Sequence, residues 1–458
     1  MTRTGRPSDR SHSDTASFPY EAPTVELLRA GLRTRSSGEY WYKGGQLQHS
    51  RKPPALRGLN VNHNHDLKNI METERRYLTA KQAADALDVT PATLYAYISR
   101  GQLQSEPVPG RPREHRYYRE DIERLRERKE TRRDPAKAVA RGLFWGSPVL
   151  ASGITLIHEG RLYCRGQDVL RLAETATLEQ VAELLWVAEA AEKGRLFDQP
   201  CTLSLRQLAR LGACARDSMT LLQTALPPAA TADLASYDLR PTAVHQTGAR
   251  IIRLLTTIIA GRHSQAPVHL ALQAAWAPKR AAIGDVIRMA LVVCADHELN
   301  VSAFTARCAA SAGASPYDVV SAAMATLKGR RHGGETERVS ALLMEAKTPK
   351  QARATVANRL RRGESLPGFG HPLYPAGDPR AALLMRLAEA SGNETEWRVI
   401  RALRTAGSEL LHDLPNLDFG LAALARTYGL PDGAPLVLFA LGRTVGWIAH
   451  AIEQYSTN

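Results

Sequence analysis

The sequence predicts a mainly α-helical protein in which a large helical body follows a small winged helix-turn-helix unit. Three observations carry this. From about residue 141 onward, Ala-, Leu- and Arg-rich segments such as TLEQVAELLWVAEAAEK and GDVIRMALVVCADHELN place apolar residues at helical spacing. No strand–helix alternation of the kind that builds a parallel sheet interrupts them, and no internal repeat is present. Ahead of them, residues 77–130 hold two short helical patterns joined by a turn and followed by an Arg-rich, aromatic segment.

Composition bounds the function. A chain of 458 residues has room for two or three domains, and 44% apolar residues support a sizeable core. Its 60 Lys and Arg against 46 Asp and Glu, a net charge of +14, suit an anionic partner: nucleic acid or an anionic metabolite. Five cysteines (Cys164, Cys201, Cys214, Cys294, Cys308) include no C-x-x-C pair, which argues against a disulfide framework or a zinc site. No metal is expected, since His297-Glu298 lacks the second histidine of H-E-x-x-H. The longest uninterrupted apolar stretch, Ala434 to Gly442, is too short for a bilayer, and MTRTGRPSDRSHSD has no apolar core of a signal peptide. The expected setting is the reducing cytoplasm, with no membrane partner.

The elements follow in order. Residues 1–70 are rich in Ser, Arg, Gly, Pro, His and Asn, with one short apolar cluster at Val25, Leu27 and Leu28. Such a segment buries too little to offset its ordering entropy, so it is expected to be disordered. It reads as a nucleic-acid tail, a targeting sequence, or upstream sequence ahead of a true start at Met71. A helix-turn-helix domain is expected over 74–132. KQAADALDV puts Ala83, Ala84 and Leu87 on one helical face. Thr90-Pro91 supplies the cap and first-position proline of PATLYAYISRG, where Leu94 and Ile98 lie four apart. REHRYYREDIERLRERKE forms the wing and a charged helix. At the start of the body, ASGITLIHEGRLYCRGQDV alternates around Glu159-Gly160 and predicts a hairpin.

Three of the 14 histidines stand out by their surroundings. His297 ends an apolar helix in DHELN. His332 sits in a Gly-bracketed break, LKGRRHGGE, after the helical VVSAAMATL. His371 lies in LPGFGHPLYPAGDPR, whose Gly and Pro residues exclude regular structure. Arg380 closes that same loop. Arg443 lies in a mostly apolar helix, where it is costly without an anionic partner. Asp418, in LPNLDFGLAAL, reads either as the N-cap of the next helix or as a catalytic carboxylate.

DHELN, His-Gly-Gly after a helix and Lys-Gly, GFGH-x8-R, N-x-D-F and R-T-V-G-W-x-A-H together resemble the successive signatures of the citrate synthase family. The resemblance covers about 141–458. It implies an all-α body of a large domain (141–333 plus 431–458) and a small one (334–430) that close over substrate, working as a homodimer. It assigns His332 to stabilising the acyl-CoA enol, Asp418 to removing the α-proton, and His371 to the oxaloacetate carbonyl. His297, Arg380 and Arg443 would hold oxaloacetate. The chemistry needs these types: a thioester α-proton leaves only if a base acts while the forming enolate oxygen receives a hydrogen bond. Arginine forks grip the small dianion bidentately, and closure excludes water.

The chain also departs from the family pattern. GGETE stands where Gly-Gly-Ala-Asn-Glu is usual, Pro375 replaces a basic residue used on CoA phosphate, and Asp418 precedes Phe-Gly-Leu-Ala rather than Phe-Tyr-Ser-Gly. The chain ends at Asn458, ahead of the place where the family supplies a late arginine to the partner subunit. Residues 77–130 resemble the MerR/excisionase type of helix-turn-helix. In that reading Thr90, Thr93 and Tyr95 face the major groove and Arg111, Arg113 and Arg116 meet phosphate; the other reading is a docking or dimerisation module.

Two functions follow. One is an acyltransferase of the tricarboxylic acid cycle type, condensing acetyl-CoA with oxaloacetate, or propionyl-CoA as in 2-methylcitrate synthase, with no cofactor beyond the acyl-CoA substrate. The other is a DNA-binding regulator whose body senses a metabolite.

Overall fold

The computed structural model describes residues 77–99, 103–108, 111–119, 121–122, 125–126, 152–189 and 193–457. The expected extension over 1–70, the start at Met71 and the connection that ends near 141 lie outside these residues.

The N-terminal unit begins with β1 (Tyr77–Thr79), α1 (Ala80–Leu87) and α2 (Pro91–Ser99), followed by β2 (Ser105–Val108) and β3 (Arg111–Tyr118). A capping box opens α1: Gln82 N donates to Thr79 Oγ1 at 3.3 Å, and Thr79 N donates to Gln82 Oε1 at 2.9 Å. Asp88, with φ of 51°, ends it in the left-handed region. Thr90 starts α2 by accepting from Thr93 N at 3.3 Å. The strands form an antiparallel sheet in the order β1-β3-β2. Leu78, Ala83, Ala84, Leu87, Leu94 and Tyr117 make its small core, so the helical faces are those that the spacing predicts.

The body opens with the hairpin, β4 (Thr155–His158), β5 (Arg161–Cys164) and β6 (Gln167–Asp168), in that order. His158 pairs with Arg161 across Glu159 and Gly160, whose φ angles of 50° and 71° suit a two-residue hairpin turn. Helices then run α3 (Val169–Thr175), α4 (Leu178–Leu185), α5 (Leu205–Gly212), α6 (Ser218–Ala232), α7 (Pro241–Ala260) and α8 (Val268–Trp276). After them come α9 (Ile283–Val293), α10 (Val301–Ser311), α11 (Pro316–Leu327), α12 (Glu335–Glu345) and α13 (Pro349–Arg361). The last are α14 (Pro379–Glu389), α15 (Glu394–Leu411), α16 (Leu417–Tyr428) and α17 (Ala434–Tyr455).

Two local details differ from a plain reading of the sequence. Pro227 and Pro228 lie inside α6 rather than ending it. The periodic run after Leu178 stops at Leu185, because Val187 turns into the left-handed region at φ 58° while Trp186 is anchored through Nε1 to Val445 O at 2.9 Å.

One apolar core runs from Ile154 to Ala451, and a second, smaller cluster lies within residues 339–423. Helix α17 occupies the first. It is 22 residues long and apolar enough to cross a membrane, longer than the stretch ending at Gly442 suggests, yet it is buried inside the fold through almost its whole length. Its Gly442 and Gly446 explain how it packs. A Cβ at Gly442 would lie 2.5 Å from Leu291 O, and one at Gly446 would lie 2.3 Å from Asp296 Oδ1. The helix therefore runs directly against the end of α9, and Arg443, between the two glycines, faces the chain that leaves that helix.

Candidate active site

Three loops, the start of α16 and the middle of α17 build the site. The first loop, Asp296 to Asn300, leaves α9 and ends where Asn300 caps α10 by accepting from Ser302 N and Ala303 N at 3.1 and 3.2 Å. The hairpin holds it. Thr155 Oγ1 donates to Asp296 Oδ2 at 2.6 Å, Glu298 N donates to Thr155 Oγ1 at 2.8 Å, and Ile157 N donates to Glu298 Oε1 at 2.6 Å. These bonds hold Glu298 at a φ of 47°, a strained position for a side-chain-bearing residue. Beside it His297 is buried, with Nε2 3.0 Å from the Tyr374 hydroxyl and its ring edge-on to His371 at 5.1 Å.

The second loop carries His332. His332 N donates to Gly329 O at 2.8 Å and Gly334 N to Leu327 O at 3.1 Å, closing a tight turn. A Cβ at Gly333 would sit 2.7 Å from Leu327 Cδ1, and at Gly334 2.5 Å from Lys328 O, so the turn requires both glycines. His332 Nε2 lies 2.8 Å from Ser302 Oγ, which also receives the Trp447 indole N–H at 3.1 Å.

The third loop carries His371 and Tyr374 and ends in Asp378. His371 Nδ1 accepts from Leu373 N at 3.2 Å, which leaves the proton of the neutral ring on Nε2. Asp378 caps α14 and takes a fork from Arg380, Nε to Oδ1 at 3.0 Å and one terminal nitrogen to Oδ2 at 2.8 Å, both side chains buried. The Arg380 guanidinium lies 5.4 Å from the centre of the Tyr374 ring.

Helix α16 supplies Asp418. Its N-cap is Asn416, whose Oδ1 accepts from Asp418 N at 3.1 Å and Phe419 N at 3.3 Å. The capping reading of Asp418 is thereby corrected: Asn416 already holds those amides, and Asp418 Oδ1 is buried with no hydrogen-bond partner. Helix α17 supplies Arg443, whose Nε donates to Cys294 O at 2.9 Å. Among the described residues no carboxylate lies within ion-pair distance of it.

The electrostatics show that these groups share one site. Burial, then Arg443, pushes His332 down to about 3. Burial, then Arg380, pushes His371 down to about 4. His297 falls well below the usual range through burial, followed by Arg380 and His371. All three rings are neutral at ordinary pH. Asp418 moves the other way, well above the usual carboxylate range, through burial and then the carboxylate of Glu335. The fold thus brings together all six side chains singled out in the body: His297, His332, His371, Arg380, Asp418 and Arg443. Tyr374, Ser302, Asp378 and Glu335 join them without having been singled out for catalysis. Two carried a local signal: Asp378, two residues from Arg380 in D-P-R, and Glu335, in the departure GGETE. Among the described residues no cluster of His, Cys, Asp or Glu suits a metal ion.

In the helix-turn-helix unit, Thr90 and Tyr95 are exposed and Thr93 is half-buried, its hydroxyl 3.0 Å from that of Thr90. Arg116, expected to meet phosphate, has partners within the unit itself. It pairs with Glu106 at 3.1 Å and stacks 3.9 Å over Tyr77, so it ties the wing together. The side chains of Arg111 and Arg113 lie outside those described.

A family model for the citrate synthase C-terminal domain matches residues 142–458, and one for a helix-turn-helix domain matches 77–130. Citrate synthase 2 of Bacillus subtilis is 28% identical over 349 residues, covering 68% of this chain and 91% of that protein. The 2-methylcitrate synthase of Mycobacterium tuberculosis is 29% identical over 320 residues, covering 64% and 81%. Among solved structures, citrate synthase from Thermotoga maritima shares the fold with a TM-score of 0.58 at 24% identity, over 68% of this chain and 90% of that one. The ternary complex of carboxymethyl coenzyme A and oxaloacetate with citrate synthase from Thermoplasma acidophilum shares it with a TM-score of 0.59 at 22% identity, over 69% and 91%.

Proposed function

This chain belongs to the citrate synthase family and is a citrate synthase-type enzyme, and on that premise we propose that it condenses acetyl-CoA with oxaloacetate and water to give citrate and CoA. One observation carries the reading: a carboxylate with a buried, unpartnered oxygen shares a site with three neutral histidines and two buried arginines.

Each group has a role that its surroundings suit. Asp418 takes the α-proton, and its raised pKa makes it a stronger base than an ordinary carboxylate. Ser302 Oγ accepts from Trp447 and holds one hydrogen with two acceptors at 2.8 Å, Asn300 Oδ1 and His332 Nε2; the reaction calls for it on His332 Nε2. His332 then keeps its own proton on Nδ1 and donates it as a hydrogen bond to the enolate oxygen. The enol carbon attacks the oxaloacetate ketone, which His371 polarises through Nε2–H and then protonates as the alkoxide forms. Water cleaves the thioester and releases CoA. Arg443, with no carboxylate of its own, takes one end of oxaloacetate; Arg380 and His297 take the rest. We take the body as a large domain, 141–333 plus 431–458, and a small one, 334–430, that close over the substrates. The active form is a cytoplasmic homodimer.

The test is thiol release from acetyl-CoA and from propionyl-CoA, each with oxaloacetate. A preference for acetyl-CoA is expected; a preference for propionyl-CoA would make the enzyme a 2-methylcitrate synthase, and no release from either would overturn the reading. A second role, DNA binding, is favoured by Thr90 and Tyr95, exposed at the start of α2 on either side of the half-buried Thr93. Its mark is an affinity for duplex DNA that falls steeply with salt. Absence of binding at low salt would leave the unit as a docking module.

A further inference from the structure

Glu335 stands where the family pattern has alanine, and its carboxylate joins three parts of the site. Oε1 accepts from Gly368 N at 2.8 Å, at the head of the loop that carries His371. Gly368 O in turn accepts from Asn416 N at 2.9 Å, and Asn416 caps the helix that carries Asp418. Glu335 itself lies three residues after His332, with its N–H donating to His332 O at 2.8 Å. The other oxygen lies 3.9 Å from Arg338, and Arg338 donates to Ser365 Oγ at 2.9 Å, just ahead of the same loop. An alanine could make none of these side-chain contacts.

We propose that Glu335 is a positioning residue of this site, clamping the Gly368–His371 loop to the His332 turn and standing against Asp418 as a like charge. The clamp fixes the distance between the enol-stabilising histidine and the carbonyl-polarising one, which must act on one reacting pair of carbons. The charge makes Asp418 a better base. Other groups also face Asp418: Arg380 and Asp378 on α14, and Arg443 on α17, with Cys294 at the end of α9. The arginines oppose Glu335, and Asp378, already paired with Arg380, adds to it.

The inference rests on the proposed condensation, and two variants separate its parts. Glu335→Gln keeps an acceptor for Gly368 N but removes the charge; Glu335→Ala removes both. The titration of Asp418 is followed without turnover, as the infrared carboxyl band that disappears in Asp418→Asn. In Glu335→Gln that band should titrate about one pH unit lower than in the wild type. The acid limb of kcat for thiol release should move by the same amount. In Glu335→Ala the same shift should appear together with an approximately tenfold loss of kcat on the plateau. An unmoved band in Glu335→Gln would overturn the charge role, and equal plateaus in the two variants would overturn the clamp. A wild type without thiol release would fail the condensation reading alone, since the infrared midpoint still reports on Glu335 and Asp418.

Discussion

Arg380 and Arg443 are both buried in one site, but they are held in opposite ways. Arg380 is forked onto Asp378 two residues away, its charge matched before any ligand arrives. Arg443 gives one hydrogen bond to a carbonyl and has no carboxylate within reach among the described residues. The same division runs through the site. Asn416 is satisfied and caps a helix, while Asp418 beside it has an oxygen without a partner. The satisfied groups form the frame. The unsatisfied ones, Asp418 and Arg443, carry desolvation costs that a ligand can relieve, whereas Arg380 and the three histidines would meet substrate from positions already held by protein partners.

The largest expected effect tests the unsatisfied side. Asp418→Asn keeps the volume and removes the base, so kcat should fall by about 10²–10⁴. Because the native carboxylate is already unpartnered, the thermal midpoint should not fall. A variant that kept wild-type turnover would show that this carboxylate is not the base.

The two arginines should separate in stability. Arg380→Met leaves Asp378 buried without its fork, and breaking a buried pair from one side costs about 3–5 kcal/mol. Arg443→Met removes a charge that has no carboxylate to strand, so the unliganded protein should be as stable as the wild type or more so. Oxaloacetate should raise the melting temperature of the wild type and leave that of Arg443→Met unmoved. Equal destabilisation by both substitutions would break the contrast.

Much of this division was legible in the sequence, and the remainder has physical reasons for being hidden. The helical faces of α1 and α2, the Glu159-Gly160 turn and the Gly/Pro loop around His371 depend on local spacing and turn chemistry. Tyr374 and Ser302 are different. Their partners, His297 and His332, are far away in sequence, and only the packed helices bring them together. In N-L-D-F both Asn416 and Asp418 are good capping types, and the backbone path decides between them. Arg116 reads as one more cation of a basic wing; only the strand register β2–β3 places it opposite Glu106.

The neutral histidines predict a pH effect of moderate size. Unfolded histidine titrates near 6.5, whereas His332 and His371 titrate at about 3 and about 4 in the fold. Between those values the unfolded chain binds more protons, so stability is complete above pH 6.5 and is lost as the pH falls toward 4. Each ring contributes at most about 1.4 kcal/mol per pH unit. Asp418 has the opposite sign: the native state holds its proton longer, so its contribution is present at low pH and lost as the pH rises through its raised pKa. Denaturant midpoints measured from pH 7.5 to 5 should fall, and His332→Asn should flatten the fall by about one proton. A slope identical in that variant would mean that His332 is not held neutral by the fold.

The smallest effect concerns unmatched cations that stay in water. Arg330 and Arg331 immediately precede His332, are exposed, and form no ion pair among the described residues. Pro375 provides no charge at the loop position where the family uses one, so in the proposed reaction the CoA phosphates would draw on cations elsewhere. Unlike Arg443, these two have lost no hydration, and an exposed pair gains only about 0.2–1 kcal/mol. Arg330→Ala with Arg331→Ala should therefore raise the KM for acetyl-CoA by only about three- to tenfold at low salt. The KM for oxaloacetate and kcat should stay as they are. Salt should erase the difference, because the Debye length at 0.15 M is about 8 Å and an exposed arginine relies on unscreened attraction. A KM that did not change would move the search for phosphate partners away from the His332 turn. A loss that persisted at high salt would mean that one of these arginines becomes buried on closure, and so resembles Arg443 more than its exposure in the free protein suggests.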